Sequence, residues 1–276
     1  MGRKLFCDIS PACYKISVWK CCRIREIKDF FSREKFAAQK SSDLLPNVVK
    51  GHTSVLVRRL AGVDLRLQEN KVTNIALAAA KINGIIVRPG ETFSFWRTVG
   101  KTAEKQGYKE GLVIHRGGKL GSGIGGGLCQ MANMVHWLVL NSPLTVTELH
   151  HHSDALFPDE RRRVPFGTGT SVLNNYIDYR FKNTTDQTVQ LITWIEDGEL
   201  CGELRSERQY PCRYKLYEED NRFVEENGKW YRLSKVWRSV IDRATGEELR
   251  RELILDNHSL VMYDPVLIPP EQISKE

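Results

Sequence analysis

The stretch that most restricts this chain reads Gly121-Ser-Gly-Ile-Gly-Gly-Gly-Leu-Cys-Gln130 and passes straight into the apolar run MANMVHWLVLNSPL. Three successive glycines, Gly125, Gly126 and Gly127, reach backbone angles barred to other residues and let another group approach closely. The apolar run reads as a helix that Pro143 ends. Cys129 then falls in the first turn of that helix, where unpaired backbone N–H groups and the positive end of the helix dipole face its sulfur. Both favour thiolate over thiol, the form a nucleophilic cysteine needs. The same N–H groups can hold an oxyanion as a carbonyl is attacked, and Gln130 adds a side-chain amide donor. The alternative is that the glycines serve close helix packing and Cys129 is a small buried residue.

Around this stretch the period of the sequence changes. Val72, Ile75, Ala76, Ala79, Ala80 and Ile82 recur at helical spacing and predict a helix over 70–83, stopped by Gly84. Ile85–Val87 predicts a short strand ending at Pro89-Gly90, with Phe93, Phe95 and Trp96 in an extended segment after it. The glycine-rich residues 107–127 read as loop. Beyond residue 144 the pattern is β: a strand over 144–149, then 175–181 and 188–195 as a hairpin about Asn183-Thr-Thr-Asp-Gln187. Turn signals at Glu226-Asn227-Gly228 and Ala244-Thr245-Gly246 set off strands over 230–236, 237–242 and 248–255. The fold class is α+β: a mixed helix and antiparallel-sheet core with the Gly-loop–helix bearing the cysteine, plus a small C-terminal β-meander. The expected division is a basic helical N-terminal segment (1–50), a core domain (51–205) and a C-terminal β subdomain (206–276).

A chain of 276 residues buries a core without help from disulfides. Its N-terminus, MGRKLFCDISPACYKISVWKCCRIREIKDFFSREKF, is interrupted by charge every few residues and lacks the apolar segment and cleavage site of a secretory signal, so a cytoplasmic protein is expected. The net charge is +7, with much of the excess near the N-terminus. Such a segment can lie on an anionic membrane with Trp19, Phe30 and Phe31 at the interface, or cap the main domain as a solvated helix. No nucleic-acid fold motif accompanies the charge, and nucleic acid is not an expected partner. Seven cysteines without C-x-x-C pairing read as free thiols, and no cofactor is expected.

A thiol nucleophile needs a base. His150, His151 and His152 follow the strand predicted over 144–149; if that strand continues, His150 and His152 share a face. His152 is the first choice, with Ser153 and Asp154 beside it. His136 lies seven residues beyond Cys129 on one helix, about 10 Å along its axis, and reads as a core or helix-face histidine. His115 and His258 read as surface. A metal reading uses His150 and His152 with Cys129, Asp154 or Asp159. The run Arg161-Arg162-Arg163 reads as a solvated loop, or as a grip for a substrate carboxylate or phosphate.

The segments KINGIIVRPGETFSFW, GYKEGLVI, GIGGGLCQ, HHHS and DYRFKNTTDQ, in that order, resemble the VanW family, named for an accessory protein of vancomycin-resistance clusters. The likeness runs from about Val63 to about Ile195, and PGETFSF and GGGLCQ are its specific elements. Some VanW domains are considered L,D-transpeptidases, which cross-link peptidoglycan through an acyl-cysteine. The resemblance therefore implies a nucleophile at Cys129 and a histidine role at His152, with Gly126, Gly127 and Gln130 in the surrounding signature. It also implies a link to glycopeptide resistance and a cell-wall peptide or precursor as partner, a precursor if the protein is cytoplasmic. Where family members carry Gly-x-Asp-Ala-Thr, this chain reads Gly167-Thr168-Gly169-Thr170-Ser171. Gly169 thus replaces an aspartate, and Asp178 is the candidate substitute for orienting the base. The other class of reading is a non-catalytic protein that binds a cell-wall precursor or a pathway partner.

Overall fold

The computed structural model describes residues 5–57, 64–114, 120–151, 154–156, 158, 163–173 and 176–274. In chain order the elements are α1 (Pro11–Phe31), β1 (Lys35–Phe36), β2 (Asn47–Val55), α2 (Leu65–Ile82), β3 (Ile85–Val87), β4 (Glu91–Ser94), α3 (Phe95–Val99), β5 (Glu110–Ile114) and β6 (Leu120–Ile124). There follow α4 (Cys129–Leu140), β7 (Thr145–Glu148), β8 (Asp154–Ala155), β9 (Arg180–Lys182), β10 (Val189–Glu196), β11 (Glu199–Ser206), β12 (Cys212–Glu226), β13 (Lys229–Asp242) and β14 (Glu248–Val261). The class is α+β.

The core lies where α2 and α4 meet two four-stranded sheets, ordered β2-β11-β10-β3 and β1-β4-β9-β7. On α2 the buried stripe is Asn74, Ile75, Ala78, Ala79 and Ile82. Ala76 and Ala80, expected to face inward, are exposed. Alanine packs on either face, so alanine spacing could not fix the rotation of this helix. Gly84 ends it as expected: its φ is +83°, and a Cβ there would sit 2.5 Å from the carbonyl oxygen of Ser41. On the other side, α4 buries nine side chains and packs against β11 at Gly202. A Cβ at Gly202 would come within 2.9 Å of the Met134 sulfur, so the close approach needs glycine.

Four sequence expectations are corrected. Residues 175–195 form no hairpin: β9 pairs with β4 and β7, whereas β10 pairs with β11 and β3. Between them Asn183 makes a buried corner, its side-chain amide donating to the carbonyls of Val87 and Gln187 at 2.8 Å each and its N–H to Glu91 at 2.9 Å. With those backbone groups satisfied locally, the chain passes from one sheet to the other instead of folding back on itself. The glycine-rich stretch is partly a hairpin, β5 with β6, in which Gly111 faces Gly123 and Val113 faces Gly121. Phe95 and Trp96 begin a short helix, α3, because Ser94 caps it, accepting the Arg97 N–H at 3.3 Å. The two strands expected over 230–242 are one, β13, with a register shift against β14 at the predicted break between Val236 and Trp237.

The expected division at residue 51 falls inside β2, which pairs with β11 from Asn47 to Val55. At the other end β12, β13 and β14 form a long antiparallel meander, joined on its edge by β8 running parallel to β14. Arg238 of β13 donates to the carbonyl of Leu140 at the end of α4 (3.2 Å), and Asn257 of β14 to that of Phe166 (3.1 Å). These bonds and β8 stitch the meander to the core.

Candidate functional site

Cys129 is the first residue of α4, at the end of the turn formed by Gly125, Gly126, Gly127 and Leu128. Each glycine is required for a different contact. Gly125 and Gly127 have φ of +80° and +93°, where side chains are strained. Gly126 lies against the backbone of β5: a Cβ on it would be 2.2 Å from the carbonyl carbon of Gly111. The turn is pinned from below by Asn74 of α2, a buried residue that sequence reasoning passed over. Its side-chain amide donates to the carbonyls of Gly126 and Lys109 (2.9 Å each), and its Oδ1 accepts the Lys109 N–H at 2.8 Å. An asparagine among the apolar positions of α2 is the one sequence signal that marks it, since a buried side chain of this kind must find partners.

The electrostatics at the sulfur differ from the expectation drawn from helix geometry alone. The Cys129 thiol points at the carbonyl oxygen of Val172, 3.6 Å away. Burial pushes its pKa up, and backbone hydrogen bonds at Val172 and at Cys129 itself pull the other way without overcoming it. The helix start is also less rich in unpaired donors than a bare terminus. Gln130 N–H is tied to the Gly127 carbonyl (3.0 Å) and Ala132 N–H to that of Leu128 (3.1 Å). Burial therefore favours the thiol over the thiolate at rest. Gln130 is likewise corrected: its side-chain amide donates to Ser54 Oγ and to the Val55 carbonyl, both at 2.9 Å, and so clamps α4 to β2.

Residues 169–172 run from the thiol to the histidine run. Val172 receives the thiol. Ser171 N–H donates to the His150 carbonyl (2.7 Å), and Thr170 N–H to the side chain of Asn133, one turn beyond Cys129 on α4 (2.7 Å). Gly169 fits against the same asparagine, where a Cβ would be 3.3 Å from its Oδ1. The position at which the family resemblance has aspartate therefore packs beside Asn133, which lies one turn beyond Cys129 on α4.

β7 ends at Glu148, so residues 149–151 do not continue it, and the face-sharing argument for His150 has no strand to rest on. His150 Nε2 instead lies 2.9 Å from Glu148 Oε1. Burial alone would raise the Glu148 pKa, but hydrogen bonds from Arg25 and His150 outweigh it and hold the carboxyl below its usual range. Among the described residues, Glu148 is the carboxylate beside a histidine of this run. Asp178 is buried and taken up by the Ser94 hydroxyl (2.5 Å), the N–H groups of Trp96 (3.0 Å) and Tyr179 (2.9 Å), and Arg180 Nε (2.7 Å). His152, Ser153, Asp159, Arg161, Arg162 and His115 lie outside the described residues. Arg163 donates to Thr53 and Glu199 on the surface, and His258 is an exposed partner of Glu226. Among the described residues no group of three or more His, Cys, Asp or Glu is placed to hold a metal ion.

His136 is the core histidine expected. It is buried, with Nδ1 3.2 Å from the Tyr179 hydroxyl; burial, then the charge of His151, lowers its pKa to about 3. Its ring, His151 and Thr168 help line an open pocket of about 360 Å³ between the core and the meander, together with Leu144, Leu149 and Arg238. Residues 168–172 thus form a continuous wall from this pocket to Cys129.

The fold and this corner define the class: an α+β domain that presents a cysteine from a triple-glycine turn at the start of an apolar helix. Residues 70–205 match the family described as VanW like protein. The chain is 34% identical over 219 residues to the Vancomycin B-type resistance protein VanW of Enterococcus faecalis (strain ATCC 700802 / V583), covering 79% of each. It is 33% identical over 116 residues to Uncharacterized protein YoaR of Bacillus subtilis (strain 168), covering 42% of this chain and 36% of that one. No solved structure matches. The chain belongs to the VanW family.

Proposed function

We propose that this chain serves glycopeptide resistance by cysteine-dependent acyl transfer, of the L,D-transpeptidase kind, on a cell-wall peptide or precursor. The observation that carries the reading is the placement of Cys129 at the mouth of a helix, after a turn whose backbone is fixed by Asn74 and Gly111. A nucleophile needs that fixity, because small displacements of the attacking atom cost rate steeply. The link to vancomycin rests on the printed name of the Enterococcus faecalis relative.

In the proposed step the thiol gives its proton to an imidazole of the histidine run, His152 by first choice, as sulfur attacks the substrate carbonyl. The oxyanion collapses, the leaving amine departs with the proton from the imidazole, and a thioester remains on Cys129. An acceptor amine or water then attacks the thioester; its proton returns through the imidazole to sulfur, which leaves as the thiol. Because burial favours the thiol at rest, the thiolate forms only as the proton is transferred. A partly buried thiol whose pKa is raised also supports a second reading, a non-catalytic protein that binds the precursor in the same corner.

The two readings separate in one experiment. Purified protein is mixed with a cell-wall tetrapeptide and its mass measured, while Cys129→Ser is tested for resistance in cells. Acyl transfer predicts an acyl adduct on Cys129 and loss of resistance in the variant. Full resistance in Cys129→Ser, with no adduct on the native protein, would establish the binding reading.

A further inference from the structure

α1 has two unlike faces. Val18, Cys22, Arg25 and Asp29, spaced four, three and four residues apart, make one partly covered stripe turned toward the core. It docks through charge: both Arg25 Nη groups reach Glu148 (2.6 and 2.7 Å), and Asp29 receives both Nη groups of Arg180 (2.7 and 2.8 Å). No residue of the helix is fully buried.

The other face carries Ile16, Trp19, Ile27, Phe30 and Phe31, each between 54% and 82% exposed. At 3.6 residues per turn these five fall in an arc of about 120°, roughly opposite the docking stripe. Lys20 and Arg23 lie inside that arc, and Glu26 and Asp29, the acids of the helix, lie outside it, Glu26 as the exposed partner of Arg23 (2.5 Å). Phe30 and Phe31 meet edge to face at 5.3 Å, and Phe6 and Ile9, just before the helix, extend the exposed apolar surface. A contiguous apolar patch of this kind marks a surface made to be covered.

We propose that this outer face of α1 lies in the interface of an anionic phospholipid bilayer. Charge complementarity selects that occupant. The apolar side chains would enter the boundary of the acyl chains while Lys20 and Arg23 meet acidic headgroups, with Trp19 at the level that indole favours. A second copy of the chain fits less well, because a two-fold contact through this face gathers Lys20 and Arg23 of both copies into one interface whose apolar arc holds no acid. No described helix is long and apolar enough to cross a membrane, so contact at the surface is the mode. The inner stripe of the same helix holds Glu148, which holds His150. A bilayer under α1 would therefore fix the orientation of the candidate site to the lipid surface. The inference rests on α1 and holds whether or not Cys129 is a nucleophile.

The test is co-sedimentation of the full chain with vesicles of phosphatidylcholine alone and of phosphatidylcholine mixed with phosphatidylglycerol. The expected result is binding to the mixed vesicles, weakened at least about tenfold by Ile27→Asp with Phe30→Ser and, separately, by Lys20→Glu with Arg23→Glu. These side chains are exposed in the fold, and circular dichroism checks that the variants remain folded. Failure of the native chain to bind mixed vesicles, or binding that survives both pairs of changes, overturns the proposal. So does a native dimer in sedimentation velocity that Ile27→Asp with Phe30→Ser dissolves, which would make the face a self-association surface.

Discussion

α4 and α1 both carry many apolar side chains, yet the protein holds them by opposite means. α4 is apolar nearly all round and buries nine of its twelve residues, so it is fixed by packing. α1 buries none and is held along one stripe by hydrogen-bonded ion pairs. Packing resists small displacements in every direction, whereas an ion-pair stripe fixes register and orientation while leaving the helix free to open locally. The element that needs positional accuracy, the one bearing Cys129, is the packed one. The element that presents an apolar face outward is the one held by charge.

The contrast breaks most visibly in the core. Leu138 is fully buried and faces Gly202, where a Cβ would stand 3.3 Å from its Cδ1. Leu138→Ala should cost about 2–5 kcal/mol in urea unfolding, since the surrounding glycine and methionine cannot fill the void. Ile27→Ala on α1 should change it by less than about 0.5 kcal/mol. Similar losses at both positions would mean that α1 is integral to the core and the contrast is false.

A second effect, about 2 kcal/mol between pH 7 and pH 5, comes from the polar group that α4 encloses. His136 has a folded pKa of about 3, below its unfolded value near 6.5. The folded state therefore takes up no proton over a range in which the unfolded chain does. Its contribution is fully present above about pH 6.5 and is lost as pH falls toward about 3, at about 1.4 kcal/mol per pH unit. His136→Phe removes this dependence, at a modest fixed cost from the Tyr179 hydroxyl left without its partner. The measurement is the difference in unfolding free energy between native protein and variant from pH 7 to pH 5. The native protein should lose stability relative to the variant as pH drops, and parallel profiles would show that His136 is not held neutral by burial.

The same two helices show what the sequence could and could not convey. α4, its glycine turn and the position of Cys129 were legible because each follows from residues adjacent in the chain: an apolar run, three glycines and a proline. The end of α2 at Gly84 and the turns of the meander were legible for the same reason. The separation of β9 from β10 was not, because it depends on which distant strands compete for each edge. Glu148 and Asn74 were missed likewise, since their partners, Arg25 and the Gly126 carbonyl, lie 123 and 52 residues away. The direction of the thiol's pKa was misread because a helix terminus is local and burial is not. Dipole and donors argued for thiolate, and desolvation in the folded chain outweighed them.

A smaller effect on global stability than either Leu138→Ala or the His136 dependence tests the charged stripe itself. Asp29 and Arg180 are both largely covered and joined by two short hydrogen bonds, and Arg97 stands 3.8 Å from the same carboxylate. Asp29→Asn removes the charge from α1 and keeps its shape, while Arg180 retains Asp178 through Nε. The guanidinium is therefore not left uncompensated, which is what makes breaking a covered ion pair so costly elsewhere. The global unfolding free energy should fall by less than about 1 kcal/mol, because the core does not depend on the helix. Local opening should rise more visibly, read as faster trypsin cleavage after Lys20 and Arg23 under native conditions. A variant as resistant to trypsin as the native protein would show that the pair contributes little to docking and that Arg25 with Glu148 suffices. A global loss matching that of Leu138→Ala would show instead that α1 and α4 unfold as one unit, and the distinction between the packed and the ion-paired helix would fall.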